Sequence, residues 1–292
     1  MSDERPDANI VSVPDATLKN ARRGATWMLR VALAAVALVV AGSVAFAFIL
    51  RPRLAKPAVW SAVACPPDAD PFESLLKCGT KLYSQYDEEL IIRHFFRDRR
   101  GGVFLDVGAA HYKYNSTTYY LEHHLGWSGL AVDALAEYGP DYKVYRPATR
   151  FYSYIVTDHS GATEPFYVLR NKHLMSTISP EWAETFGRDD YETVHVQTTT
   201  LNDLLSKAGL AKVDFLSMDI ETGEPAALAG FDIVRYRPEL VCIEVTEGVQ
   251  SRVTAYFEAH AYERIARYKG YDQVNWYFQP KTPAPDGLPT RP

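Results

Sequence analysis

The segment Val103-Phe-Leu-Asp106-Val-Gly108-Ala109-Ala-His111 constrains the fold of this chain more than any other. An apolar run without polar alternation reads as a strand buried on both faces, the pattern of a central parallel strand. It opens directly into a glycine turn. Downstream, Gly129-Leu-Ala-Val-Asp133 is a second apolar run that ends on a carboxylate. In a doubly wound α/β domain, the glycine after the first strand lets the backbone pass close to a ligand. The acid after the second can accept hydrogen bonds from a ribose diol. The pair implies a nucleoside-bearing cofactor.

The surrounding sequence alternates helix and strand patterns. Ser84-Gln-Tyr-Asp87 reads as a capping box opening a helix through Arg97, with Leu90, Ile91 and Phe95 on its buried side. Asn115 or Ser116 caps a second helix that runs to Leu125, and Thr200-Leu-Asn-Asp203 opens a third. Further strands are predicted at 130–132, 151–156, 166–169, 194–198, 213–218 and 240–245. Residues 263–268 and 274–278 flank a turn and read as a closing hairpin. The expected fold is therefore α/β, a mostly parallel sheet with right-handed crossovers and an antiparallel C-terminal hairpin strand.

Composition bears on what lies outside this domain. The 292 residues carry a net charge of −5, and no Lys/Arg run is long enough to track phosphates, so nucleic acid is not an expected partner. Residues 1–27 are polar and read as a disordered tail. Residues 28–50 read as one transmembrane helix, because 31–50 is uncharged and its length at about 1.5 Å per residue matches a ~30 Å hydrocarbon layer. Ala45-Phe-Ala47 resembles a leader cleavage site, but the long preceding region favours a retained anchor in the lipid bilayer. Basic residues flank the run on both sides, so they do not orient it. Residues 51–81 read as a Pro/Ala-rich linker, 82–280 as the folded domain and 281–292 as a loose tail. Of the three cysteines, Cys242 sits in an apolar strand and reads as core. Cys65 and Cys78 are a disulfide in an oxidising compartment and plain thiols in the cytosol.

The chemistry narrows from there. A nicotinamide enzyme would show Gly-x-Gly-x-x-Gly after its first strand, and only Gly108 is present. Segments 104–109, 115–122, 125–133, 200–205 and 214–224, continuing to Gly230-Phe-Asp232, match in order and spacing. On these segments the sequence from about Ser84 to Phe278 resembles the FkbM-type family of class I methyltransferases. The resemblance implies a Rossmann-like methyltransferase sheet, S-adenosyl-L-methionine as cofactor, and O-methylation of a sugar, glycan or small-metabolite hydroxyl. Carried over by position, Asp106, Gly108 and Ala109 line the methionine side, Asp133 holds the ribose and Asp158 lies near the adenine. Asp219 and Glu221 face the sulfonium or the acceptor.

Two departures from the family pattern stand out. Tyr112 occupies the place of a second glycine, where its ring threatens to crowd the methionine. Ala110-His111 replaces a small polar or acidic pair. Removing a proton from an acceptor hydroxyl calls for a carboxylate or histidine, so Asp219, Glu221 and His111 are the candidate catalytic residues. Glu244 sits in an apolar strand, where a carboxylate needs a partner or a site. Histidine and cysteine spacing gives no metal motif and no metal is expected, the alternative being a divalent ion held by Asp219 with Glu221 as in some O-methyltransferases. The activity expected is that of a membrane-anchored methyltransferase facing the cytoplasm, where adenosylmethionine is made. The alternative is a catalytically inactive member that acts as an exported or membrane-tethered binding partner.

Overall fold

Continuous apolar runs become the centre of the sheet and the amphipathic segments cover it. The computed structural model describes residues 70–187 and 190–281. The strands in chain order are β1 (Val103–Val107), β2 (Ser128–Asp133), β3 (Thr149–Ser153), β4 (Ile155–Val156) and β5 (Thr163–Leu169). They continue with β6 (Tyr191–Thr199), β7 (Phe215–Met218), β8 (Leu240–Glu244), β9 (Tyr262–Arg264) and β10 (Asn275–Pro280). Seven of them form one sheet in the order β3-β2-β1-β7-β8-β10-β9. Pairings β1–β2, β2–β3, β1–β7 and β7–β8 are parallel, whereas β10 runs antiparallel to both β8 and β9. The expected parallel sheet with an antiparallel C-terminal hairpin is what forms.

The order reverses at β1. From β1 the chain winds outward through β2 to β3, then returns to lay β7 and β8 on the other side. In open α/β sheets such a switch point opens a crevice at the carboxyl ends of the two strands. Here those ends are Gly108 and Asp219.

Nine helices among the described residues flank the strands: α1 (Pro71–Cys78), α2 (Glu88–Phe96), α3 (Tyr119–Leu125), α4 (Gly139–Tyr145) and α5 (Pro180–Gly187), then α6 (Leu201–Lys207), α7 (Glu224–Ala229), α8 (Ile233–Tyr236) and α9 (Gln250–Ala259). Strand side chains alternate between faces, so each strand feeds two cores. Leu105, Val107, Leu216, Met218, Val241 and Ile243 pack against Leu204, Leu205 and Phe257 from α6 and α9. Phe104, Phe215, Leu240, Cys242 and Tyr277 pack against Ile91, Ile92, Leu121 and Trp127 on the opposite face. Trp127 is fully buried and its indole N–H donates to the Arg99 carbonyl at 2.7 Å, so its polar edge is satisfied.

Several boundaries differ from the sequence reading, each for a local reason. Residues 70–81, expected to end a linker, are folded: Asp70 caps α1 by accepting from the Phe72 amide at 2.9 Å, and Leu76 is fully buried. The helix expected from Ser84 starts at Glu88, because Ser84 is held in a bridge with Asn115 and its hydroxyl accepts from the Glu89 amide. Its buried aromatic is Phe96, and Phe95 is only partly covered. The strand expected at 151–156 breaks in two. The first piece, β3, stays in the main sheet. The second, β4, joins a small separate sheet in the order β4-β6-β5. The expected strand 263–268 yields after Arg264 to a 3-10 turn, Ala266–Gly270.

Cys242 is a free, buried thiol as expected, and Cys78 is disulfide-bonded. Cys65, the other cysteine of the pair whose state the sequence left open, and the apolar run 31–50 lie outside the described residues. No helix among the described residues is long and apolar enough to cross a membrane.

Candidate active site

Register across the sheet builds the site. Asp106 pairs with Ser217, Ser217 with Cys242 and Cys242 with Tyr277, giving one polar row above the apolar row Phe104, Phe215 and Leu240. One step further along, the strands end on Gly108, Asp219 and Glu244, with Asn275 opposite Glu244. A pocket sits over this polar edge, lined among others by Asp106, Gly108, Ala109, Ser217, Asp219 and Asn275. Residues 85 and 88 and the loop 115–117 form its opposite wall.

The cofactor-side loop is fastened from below. Gly108 has φ +79°, and a Cβ there would lie 1.8 Å from the Asp219 carbonyl oxygen. Only glycine allows this approach between the β1 turn and the β7 exit. The Gly108 and Ala109 amides donate to the Val132 carbonyl at 2.9 and 3.2 Å. Asp133 accepts from the Ala110 and Leu135 amides, both at 2.9 Å, one on each carboxylate oxygen. Each oxygen keeps a further lone pair. Ala110 takes φ +44°, so the bend expected of a second glycine is made two residues earlier.

Asp106 is buried beneath this loop. It accepts from the Thr118 hydroxyl at 2.6 Å, and that hydroxyl in turn accepts from Arg146 at 3.2 Å. Arg146, 1% exposed, also pairs with the buried Glu122 and donates to the Tyr112 carbonyl at 2.9 Å. Burial pushes Asp106 up to about 6, against the opposing pull of Thr118 and Arg146. Asp133 is likewise pushed up to about 6 by burial, opposed by its two amide donors.

An acidic cluster adjoins the pocket at Asp219. Carboxylate oxygens of Asp219, Glu221 and Glu244 all lie within 4.8 Å of one another. Asp219 reaches solvent through the pocket mouth yet sits deep in a concave wall, and this desolvation raises its pKa. Burial pushes Glu221 up to about 9, with the Asp219 and Glu224 charges adding to it. Burial raises Glu244 well above the carboxylate range, reinforced by Asp219 and Glu221. Glu224 accepts from the Ile220 amide at 3.1 Å and is pushed by burial up to about 7. The loop carrying these acids is bent, with Glu221 at φ +50° and Thr222 at φ +77°. Thr177, fully buried, donates to the Glu221 carbonyl at 3.0 Å and ties the segment before α5 to this loop.

The sequence-predicted residues divide accordingly. Asp106, Gly108, Ala109 and Asp219 line the pocket; Glu221 and Glu244 lie outside the lining and cluster against Asp219. Asp133 sits behind the loop as its clasp. Asp158 is exposed, 2.7 Å from His159, and does not line the pocket. His111 also lies outside the lining: its Nδ1 accepts from the Lys113 and Tyr114 amides at 3.1 Å, and its ring stacks on Tyr112. The Tyr112 ring turns away from the pocket and stacks on Tyr145 at 4.7 Å.

Sequence reasoning missed several neighbours. Glu88, pushed by burial up to about 8, accepts from the Asn275 amide group at 3.2 Å. Asp272 accepts from Asn275 and from the Tyr277 hydroxyl at 3.0 and 2.8 Å. Acids in a helix's first turn ordinarily serve its dipole, so nothing local marked Glu88 as a site residue.

Fold and pocket together define an α/β domain of the methyltransferase type. The sequence profile of the methyltransferase FkbM domain matches residues 106–271, more than half of the chain, and the protein belongs to that family. Among solved structures, a TehB-like SAM-dependent methyltransferase from Corynebacterium glutamicum is similar at 14% identity and a TM-score of 0.37, covering 68% of this chain and 89% of that one. A precorrin-6y C5,15-methyltransferase from Geobacter metallireducens is similar at 10% identity and a TM-score of 0.37, covering 65% and 84%. Superpositions this loose add no weight, and family membership rests on the sequence match. No curated protein is significantly similar in sequence.

Proposed function

We propose that the domain transfers a methyl group from S-adenosylmethionine to a hydroxyl of a sugar, glycan or small metabolite. The observation that carries this reading is the pocket at the β1/β7 switch point, floored by Gly108 and walled by carboxylates. Its chemistry suits the cofactor: a sulfonium and an ammonium are both cationic, and the Asp106 and Asp219 carboxyl groups of the lining complement them when ionised. When bound, the cofactor supplies an electrophilic methyl carbon on a positively charged sulfur.

The chain's own part is alignment, exclusion of water and proton removal. Gly108 and Ala109 bring backbone against the ligand, and Asp133 offers its remaining lone pairs to the ribose hydroxyls. Asp219 accepts the acceptor's hydroxyl proton, its raised pKa making it a stronger base than a free carboxylate. The acceptor oxygen then bonds to the methyl carbon, and the carbon–sulfur pair stays on sulfur.

Residues 31–50 anchor the domain to a bilayer, which raises its effective concentration at a membrane-borne acceptor. Isothermal titration of the full chain in detergent with adenosylmethionine tests the cofactor reading, and no binding at millimolar concentration would end it. The cofactor is a cytosolic metabolite, so this reading puts the domain on the cytoplasmic side. The disulfide at Cys78 favours a second reading, an exported binding protein of the same fold. A topology reporter fused after Pro292 separates the two.

A further inference from the structure

The acidic cluster beside the pocket has more carboxyl groups than proton removal requires. Asp219, Glu221 and Glu244 converge from two strand exits, with their oxygens within 4.8 Å of one another. Among the described residues, no lysine, arginine or histidine forms an ion pair with any of them, nor with Glu224 beside them. Two further observations favour a cation-binding cluster over a solvated acidic face. Glu221 is only 9% exposed, and its contact with the rest of the chain is through its backbone carbonyl, which leaves its carboxylate without a hydrogen-bond donor. Glu244 is hydrogen-bonded to Asp219 and Glu224 accepts from the Ile220 amide, but each buries its other carboxylate oxygen, Oε2, with no hydrogen-bond partner. Buried carboxylate oxygens without partners are costly, and buried charges are ordinarily paired or bound to metal.

We propose that Asp219, Glu221 and Glu244 hold one hard divalent cation of the Mg²⁺ or Mn²⁺ type. Carboxylate oxygens alone, without imidazole or thiolate, select that class over zinc or copper. Cys242 lies in the polar row one step below and is not part of the cluster. The free side of the cation faces the pocket, where water or an acceptor oxygen completes its shell. A hydroxyl held there is polarised and gives up its proton more readily, to the Asp219 oxygen that does not bind the cation. This role rests on the methyl-transfer reading. The binding itself does not.

The test is therefore binding of the metal alone. Purified full chain in detergent, stripped with a chelator, is titrated with MnCl₂ and followed by electron paramagnetic resonance without cofactor or acceptor. One Mn²⁺ per chain is expected, with affinity at least about tenfold weaker in Glu221→Gln and in Glu244→Gln. Glu258→Gln, an exposed position on α9, should bind as the parent does. Absence of binding by the unmodified chain at about 5 mM Mn²⁺ overturns the proposal, whatever the variants do. So does binding that survives both substitutions unchanged. Adenosylmethionine titration in the presence of chelator remains a separate measurement, so loss of the metal site leaves the cofactor reading to stand or fall alone.

Discussion

Replacing Gly108 by alanine adds one methyl group at the point where the β1 turn meets the β7 exit. The new Cβ would lie 1.8 Å from the Asp219 carbonyl oxygen, 2.8 Å from its carbonyl carbon and 3.0 Å from Ile220 Cγ2. Two of these three atoms belong to backbone held in the sheet, since the Asp219 amide donates to the Val107 carbonyl at 3.0 Å. No flexible side chain can move to relieve the contact. The residue must also keep φ +79°, which costs a side chain about 1–2 kcal/mol. Forcing atoms into a packed site adds about 1–3 kcal/mol. The expected loss is about 2–5 kcal/mol, read as a lower midpoint in urea unfolding at unchanged slope. The relief available is to part β1 from β7, which widens the floor of the pocket. Adenosylmethionine affinity should then fall by more than about tenfold, the equivalent of 1.4 kcal/mol. A Gly108→Ala protein that unfolds at the parental midpoint and binds cofactor with parental affinity would refute the account of the close approach.

Other substitutions probe the remaining supports. Thr118→Val keeps the side-chain shape but leaves buried Asp106 without its 2.6 Å donor, and should cost about 1–3 kcal/mol in the same urea assay. Tyr112→Ala removes a ring that stacks outside the pocket, so cofactor affinity should change by less than about tenfold while stability drops by about 1 kcal/mol or more. Much tighter binding would instead show that the phenol crowds the methionine. Asp133 and Asp106 titrate near 6 in the fold, above the carboxylate range of an unfolded chain. Their stabilising contribution is therefore complete below about pH 4 and is lost as pH rises through about 6. Cofactor binding runs the other way, because a ribose needs the ionised Asp133 as acceptor. Titration calorimetry between pH 5 and 8 should show affinity rising through about 6, and a flat profile, or one unchanged in Asp133→Asn, would contradict that role.

Local patterning settled a good part of this protein in advance. The unbroken apolar run 103–107, the glycine after it and the acid closing 129–133 specify two parallel strands and the loop between them, because strand burial and turn chemistry act over a few residues. Thr200 is legible in the same way: its hydroxyl accepts from the Asp203 amide at 3.0 Å, as the capping pattern requires. Tyr112 was not. Its spacing from Gly108 suggested a crowded pocket, but the ring's direction depends on Tyr145 arriving from α4. Glu88 and Asn275 are 187 residues apart in sequence and meet only because α2 and β10 close over the same sheet edge. The acidic cluster likewise follows from register and side-chain parity. Asp219 and Glu244 leave neighbouring strands on one face, and Glu221 is bent back onto them at φ +50°. Short-range propensities write the strands and turns. Which carboxyl groups then meet at one site is decided by pairings between distant segments, and those exist only once the sheet has formed.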